Sequence, residues 1–266
     1  MDYLESILLG IVQGLTEFLP ISSSGHLEIS KVILGNNLSN KESLLFTIVL
    51  HSATAFSTIF YFRKDLLDIF SGLLNTKYNN SHNFSVLIII SMIPAVLVGL
   101  LFEEKINSLF DGNLILVGCM LYITAILLFA SDFLKWKQKE INFKNSFFIG
   151  LAQAIAILPG ISRSGATIAS AIMIGIDREK AARFSFIMVI PIIFGSMIKS
   201  LLDHGLSFEN FDLISLSLGF ISAFVTGLFA CKWMILLVKK SKLYFFSIYC
   251  LVVGSIIIFY SLYNGL

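Results

Sequence analysis

Six stretches of this chain are each apolar over about the length needed to cross a lipid bilayer: approximately residues 43–62, 84–102, 112–133, 181–202, 211–238 and 243–263. A helix needs roughly 20 apolar residues to span the hydrocarbon, and a backbone in lipid must satisfy its own N–H and C=O groups. The expected architecture is therefore an all-α polytopic membrane protein with six transmembrane helices. Composition agrees, with 56% hydrophobic and 14% charged residues, where a soluble domain carries roughly a quarter charged residues. Polar clusters, "FRKDLLD", "FEEKINSLFDGN", "LKWKQKE", "DHGLSFENFD" and "KKSK", separate the spans and are expected as loops. His82 and His204 fall in such loops as solvated side chains. The net charge is only +2, and no basic patch is interleaved with aromatics, so no nucleic-acid partner is expected. The opening residues include Asp2 and Glu5 and do not read as a secretory signal, which starts with positive charge. With no linker or low-complexity tract, one integral membrane domain over 1–266 is expected. Cys119, Cys231 and Cys250 lie in apolar runs and form neither a disulfide framework nor a zinc spacing. They are expected as small buried apolar side chains, and the 25 phenylalanines as lipid-facing filler.

Two further regions, about 3–35 and 143–176, are apolar but broken by Pro, Gly and Ser. Laid on one another with a shift of 140 residues, "GIVQGLTEFLPISSSGHLEIS" faces "GLAQAIAILPGISRSGATIAS". Gly10, Gln13, Ile21, Ser22, Ser24, Gly25 and Ser30 then match Gly150, Gln153, Ile161, Ser162, Ser164, Gly165 and Ser170. The shared Ser-x-Ser-Gly core after a proline predicts a duplication, with repeat 1 over 1–134 and repeat 2 over 143–266. Each copy reads as one broken segment followed by three spans. If both broken segments are re-entrant helical hairpins, the odd number of crossings inverts the second copy, an inverted-topology repeat. That layout gathers Arg63, Lys64, Lys77, Lys135, Lys137, Lys139, Lys144, Arg178, Lys180, Arg183, Lys239, Lys240 and Lys242 on one side. It leaves mainly Lys31, Lys41 and Lys105 on the other, with Glu103, Glu104, Asp111, Asp203, Glu209 and Asp212. The positive-inside rule then puts both termini outside the cytoplasm. Irregular backbone survives at membrane depth only where protein or water covers it, so the two breaks are expected to meet near the midplane.

The breaks carry the chemistry. Gln13 and Glu17 are four apart and share a face of the incoming half-helix. Pro20 stops that helix, and Ser22, Ser23, Ser24 and Gly25 form a turn leading to His26. The N-terminus of the return helix favours an anion through its free N–H groups and dipole. The second break, "PGISRSGAT", places Arg163 between Ser162 and Ser164, before Gly165 and Thr167. A guanidinium beside hydroxyls at a helix N-terminus suits phosphate oxygens, so these turns are candidate phosphate-binding loops. An ionisable side chain at helix centre costs roughly 2.5–3.5 kcal/mol, which makes Glu17, His26 and Arg163 expensive unless they serve a site or neutralise one another. Two residues stay open. His51 either reaches the cavity from the first span or is a packed, hydrogen-bonded histidine. Glu28 is either a second carboxylate of the site or faces the outer interface.

These two stretches resemble the undecaprenyl-diphosphatase family, the bacitracin-resistance proteins. The likeness is carried by "QGLTEFLPISSSGH" (13–26) and "PGISRSGAT" (159–167), and by the spacing, length and span layout of the whole chain. The resemblance implies hydrolysis of undecaprenyl diphosphate to the monophosphate, recycling the lipid carrier of peptidoglycan synthesis in a bacterial inner membrane. It implies Mg²⁺ or Ca²⁺ as cofactor and a site opening to the outer face. By resemblance Glu17, Ser23, His26 and Arg163 are the catalytic residues. Gln13 stands where many members have a further glutamate. It offers a divalent cation a carbonyl oxygen beside Glu17, but no charge. Ser23, His26 or a water remains the nucleophile. The competing reading is a transporter or flippase of a lipid phosphate or other anionic substrate, because inverted repeats with broken helices also serve transport. A pure anion binder has no use for Glu17 beside its anion, where it repels. Nothing in the sequence sets an oligomeric state.

Overall fold

A computed structural model of the protein describes residues 2–34, 40–110, 113–133, 139–204, 212–240 and 243–264. Among them the chain forms twelve α-helices: α1 (Tyr3–Phe18), α2 (Ser23–Ile33), α3 (Asn40–Tyr61), α4 (Arg63–Leu73), α5 (Asn80–Leu101), α6 (Glu103–Asn107), α7 (Leu114–Phe133), α8 (Phe143–Ile155), α9 (Arg163–Ile174), α10 (Arg178–His204), α11 (Leu213–Lys240) and α12 (Tyr244–Asn264). Six of these, α3, α5, α7, α10, α11 and α12, are long and apolar enough to cross a membrane. They match the six apolar stretches, and the chain is a multi-pass membrane protein. The remaining long apolar regions are the two helix–turn–helix units α1–α2 and α8–α9, each too short per helix to span.

Several local expectations need correction. "FRKDLLD" is helical and opens α4. Asn79 caps the next helix, its side chain accepting from Ser81 N at 2.8 Å and His82 N at 3.2 Å. His82 therefore sits in the first turn of α5, with Nδ1 buried and without a hydrogen-bond partner. The side chain of His204 lies outside the described residues. Cys119 is exposed on α7, whereas Cys231 and Cys250 are buried. Phenylalanine is not only lipid-facing filler: Phe18, Phe46, Phe62, Phe184 and Phe186 are in the core. Phe18 meets Phe186 edge-on, with ring centroids 5.6 Å apart. These rings lie on the faces of their helices that neighbouring helices cover, a choice that composition does not reveal.

The short helices pack on long ones: α1 lies on α11 and α8 on α5, while α7 packs on α12 and α3 on α10. Close approach rests on small residues, as in helix contacts within membranes. A Cβ at Gly10 would lie 2.5 Å from the Gly219 carbonyl oxygen, and one at Gly150 would run into the Ser91 carbonyl. The glycines matched by the 140-residue shift thus play the same part against α11 and α5. Replacing either by leucine is expected to lower stability by at least about 1–3 kcal/mol through overpacking. The measurement is the melting temperature in detergent, and an unchanged value would contradict the packing described.

Ion pairs sort the helix ends. Arg183 joins Asp65 at 2.5 Å, Arg178 joins Asp132 at 2.6 Å, Lys180 joins Glu140 at 2.5 Å and Lys239 joins Glu179 at 2.7 Å. Asp132 also accepts the backbone N–H of Tyr244 at 2.8 Å. One rim therefore holds the C-terminal ends of α7 and α11, the N-terminal ends of α10 and α12, and α4. Elsewhere Lys199, late in α10, meets Glu103 just after α5 at 2.5 Å.

Candidate active site

The two breaks are built alike. Helix α1 ends at Phe18, just before Pro20, which has no N–H to extend a helix. Helix α2 starts at Ser23 behind Ser22, whose hydroxyl accepts the Gly25 N–H at 3.2 Å. Ser22 holds φ at 72°, the only non-glycine with positive φ among the described residues. In the second break, Gly160 supplies the positive φ, at 98°, and Ser162 accepts the Gly165 N–H at 3.0 Å to open α9. The Ser22 and Ser24 hydroxyls lie 3.4 Å apart, and those of Ser162 and Ser164 lie 3.3 Å apart. Both are N-cap arrangements that place side-chain oxygen on the first free N–H groups of a helix.

The two turns touch. The Ser164 hydroxyl donates to the Leu19 carbonyl at 3.3 Å. A Cβ at Gly25 would lie 3.1 Å from the Gly160 Cα, and one at Gly165 would lie 3.3 Å from the Pro20 side chain. Across this contact Arg163, the first residue of α9, donates through a terminal guanidinium nitrogen to Glu17 Oε1. The other carboxylate oxygen, Oε2, accepts the Ser23 hydroxyl at 2.7 Å and the Gln13 amide at 2.9 Å. Glu17 is buried, with 3% of its side chain exposed, so charge and hydrogen bonds on both oxygens are what make its burial tolerable. A hydroxyl on a carboxylate, with a guanidinium opposite and two helix N-termini at the same contact, can polarise and hold a phosphate ester while activating an oxygen nucleophile.

The family model described as "Bacitracin resistance protein BacA" matches residues 6–256. The chain belongs to this family. It is 59% identical over 254 residues to a protein named undecaprenyl-diphosphatase from Christiangramia forsetii, covering 96% of each chain. It is 47% identical over 266 residues to one of the same name from Bacteroides fragilis, covering 97% of this chain and 98% of the relative. It is 38% identical over 273 residues to one from Methanobrevibacter smithii, covering 97% of both.

Within this family member, the sequence-derived residues fall into three groups. Glu17, Ser23 and Arg163 are in direct contact, and Gln13 joins them. Ser22 and Ser162 cap α2 and α9, and Ser24, Gly25, Ser164 and Gly165, expected in turns, lie in the first helical turns behind those caps. Thr167 and His26 take other partners. The Thr167 hydroxyl is fully buried against Ser185 of α10 at 2.5 Å and the Arg163 carbonyl at 2.8 Å. The His26 ring bonds the Ser22 carbonyl and Tyr249 of α12. Glu28 pairs with Lys31 at 3.0 Å.

His51 does reach the site. Its Nδ1 lies 2.8 Å from the Thr47 carbonyl and its Nε2 3.8 Å from Glu17 Oε2. Reading the sequence left this residue open and missed Ser185, Thr54 and Tyr249. Ser185 lines a small cleft with Glu17, Arg163, Ser164, Phe186 and Val189. Thr54 stands 3.5 Å from the Gln13 amide. A polar residue inside an apolar span was the available signal for His51; the others have none beyond their place on a span.

The donor set bears on a divalent cation. Gln13 Oε1 is buried without a hydrogen-bond partner, while the same amide donates through Nε2 to Glu17 Oε2 at 2.9 Å, so a half-turn of the amide would bring its oxygen toward Glu17. No cluster of three or more His, Cys, Asp or Glu capable of caging a metal occurs among the described residues. One carboxylate and one free carboxamide oxygen fit an ion such as Mg²⁺, which takes its other ligands from water and substrate phosphates.

Proposed function

We propose that this chain is an undecaprenyl-diphosphatase of a bacterial inner membrane, hydrolysing undecaprenyl diphosphate to undecaprenyl phosphate and inorganic phosphate for reuse in peptidoglycan synthesis. The names of its relatives support the substrate. The observation that carries the chemistry is the Ser23 hydroxyl held on Glu17 Oε2 at 2.7 Å while Arg163 holds Oε1. Ser23 attacks the terminal phosphorus, and Glu17 takes its proton. The bond from phosphorus to the bridging oxygen breaks, and the lipid monophosphate leaves. The departing lipid monophosphate takes up the proton that Glu17 held. Water then attacks the phosphoserine, Glu17 accepts the water's proton and returns it to the departing Ser23 oxygen, and inorganic phosphate is released. The incoming diphosphate competes with Glu17 for the Arg163 guanidinium, which thereby moves from its resting partner to the phosphoryl oxygens. The paired helix N-termini and the Ser24 and Ser164 hydroxyls line the same place. Glu17 and Gln13 Oε1 would hold Mg²⁺ or Ca²⁺; when bound, such an ion supplies neutralising charge for the phosphate oxygens.

The reading includes an inverted repeat of two re-entrant hairpins, α1–α2 and α8–α9. Its support is directional. The Lys139 N–H donates to the Gly175 carbonyl at 2.9 Å, so the chain enters and leaves α8–α9 at one place. The ion pairs give α3 and α10, α5 and α11, and α7 and α12 opposite senses across the molecule. The rim rich in Arg and Lys is then cytoplasmic, and the site opens to the outer face. A membrane-embedded site lets the prenyl tail stay in lipid, where each buried CH₂ is worth roughly 0.8 kcal/mol.

The test is direct. Purified protein in detergent, given a polyprenyl diphosphate and Mg²⁺, is expected to release inorganic phosphate, and release is expected to fall on chelation. Binding of the lipid without release would favour the transport reading instead.

A further inference from the structure

The His26 imidazole is held at both nitrogens. Its Nδ1 lies 2.8 Å from the Ser22 carbonyl, which can only accept, so Nδ1 carries the hydrogen. In the neutral ring Nε2 is then a bare lone pair, and 2.9 Å away stands the Tyr249 hydroxyl, 223 residues along the chain on α12. The two rings are also nearly parallel, 14° apart in plane with centroids at 5.6 Å. The neighbouring Cys250 sulfur lies 3.9 Å from the Pro20 carbonyl, so α12 reaches the first turn through two successive side chains. Tyr249 itself is 42% exposed on the outward side of α12. A bare outward tyrosine would lose nothing by being phenylalanine; this one has its hydroxyl on a polar residue of the first turn.

We infer that Tyr249 is a positioning residue of the site, holding His26 in the Nδ1–H form with the Nε2 lone pair fixed in direction. This rests on the phosphatase reading and on His26 taking part in it. A phenol suits the task because a hydroxyl both donates and accepts. It donates to Nε2 of the neutral ring and accepts from Nε2–H of a protonated one. The imidazole thus keeps its place in both states. Phenylalanine preserves the stack and removes only the hydrogen bond.

The experiment uses the whole protein in detergent, with phosphate release from a polyprenyl diphosphate and ¹⁵N NMR of the histidine rings, His26→Gln assigning the His26 signals. Tyr249→Phe is expected to lower kcat about tenfold, the scale of one lost hydrogen bond, with KM within about twofold and an unchanged melting temperature. In the His26→Gln background the same change is expected to have no further effect, as a residue acting through His26 requires. Native His26 is expected to show a protonated Nδ1 and a hydrogen-bonded, unprotonated Nε2, and Tyr249→Phe is expected to shift Nε2. An impaired His26→Gln beside a Tyr249→Phe of normal kcat overturns the inference and leaves the phosphatase reading standing. A His26→Gln variant with full turnover removes His26 from the reaction, and the inference falls with it. Should Tyr249→Phe fail to fold, the native spectrum decides: an Nε2–H tautomer for His26 overturns the assignment.

Discussion

Replacing Arg163 with alanine is expected to lower kcat by about a thousandfold or more, the scale seen when a donor aimed at developing phosphoryl or oxyanion charge is removed. Arg163 is the first residue of α9, and its guanidinium sits at the contact between the two turns, where the proposed mechanism has charge accumulate as the phosphoryl group moves. The same change has a second effect. It leaves Glu17, with 3% of its side chain exposed, buried without its cation and held only by the Ser23 and Gln13 hydrogen bonds, and breaking such a pair typically destabilises by about 3–5 kcal/mol. Arg163→Lys separates the two. It keeps a positive charge near Glu17 and so restores most of the stability. It lacks the planar guanidinium fork that grips two oxygens of one phosphate in a fixed geometry, and kcat is expected to stay low. Steady-state phosphate release and detergent melting curves on both variants provide the check. Near-normal turnover in Arg163→Ala would remove the clamp from the mechanism.

Ser23→Ala is expected to abolish turnover, by at least about a thousandfold, while the fold survives. Survival follows from the local structure: the side chain that caps α2 is Ser22, not Ser23, and alanine is a good residue for a helical first turn. What is lost is the oxygen held on Glu17. Rapid acid quenching of the native protein with substrate, followed by mass spectrometry, is expected to show one phosphate on the peptide containing Ser23 and none in the variant. Undiminished release by Ser23→Ala would transfer the attack to water or to His26.

The parts of the fold legible beforehand were those with periodic or compositional signatures. Six runs of apolar residues announced six spans, and Pro20 with its serines, like Gly160 with Ser162, announced the breaks. Glu17 and Arg163 stood out because ionisable groups in apolar surroundings need a reason. Residues that become important only through packing were not legible. Tyr249 sits on a helix whose outward face is apolar and aromatic, and nothing local distinguishes it from Tyr260 or Phe245. Ser185 looks like any serine in a span until α10 lies against α9. Periodicity leaves His51 between two readings, since it says which residues share a face, not which neighbour that face meets. For the same reason composition does not separate Phe18 and Phe186 from the lipid-facing phenylalanines. His82 reads as a loop residue because the Asn79 cap, which starts α5 before the apolar run, carries no hydropathy signal.

One residue of the first turn carries an evolutionary consequence. Ser22 combines a backbone angle of φ 72° with a hydroxyl that closes the start of α2. Branched side chains are excluded by the angle, long ones cannot reach back to the Gly25 N–H, and glycine relieves the angle but abandons the hydroxyl. Asparagine and aspartate, which take positive φ more readily than other non-glycine residues and carry a short side-chain oxygen, come nearest to meeting both demands. Substitution at this position is therefore expected to be confined to a very narrow alphabet, whatever freedom the surrounding lipid-facing surface enjoys.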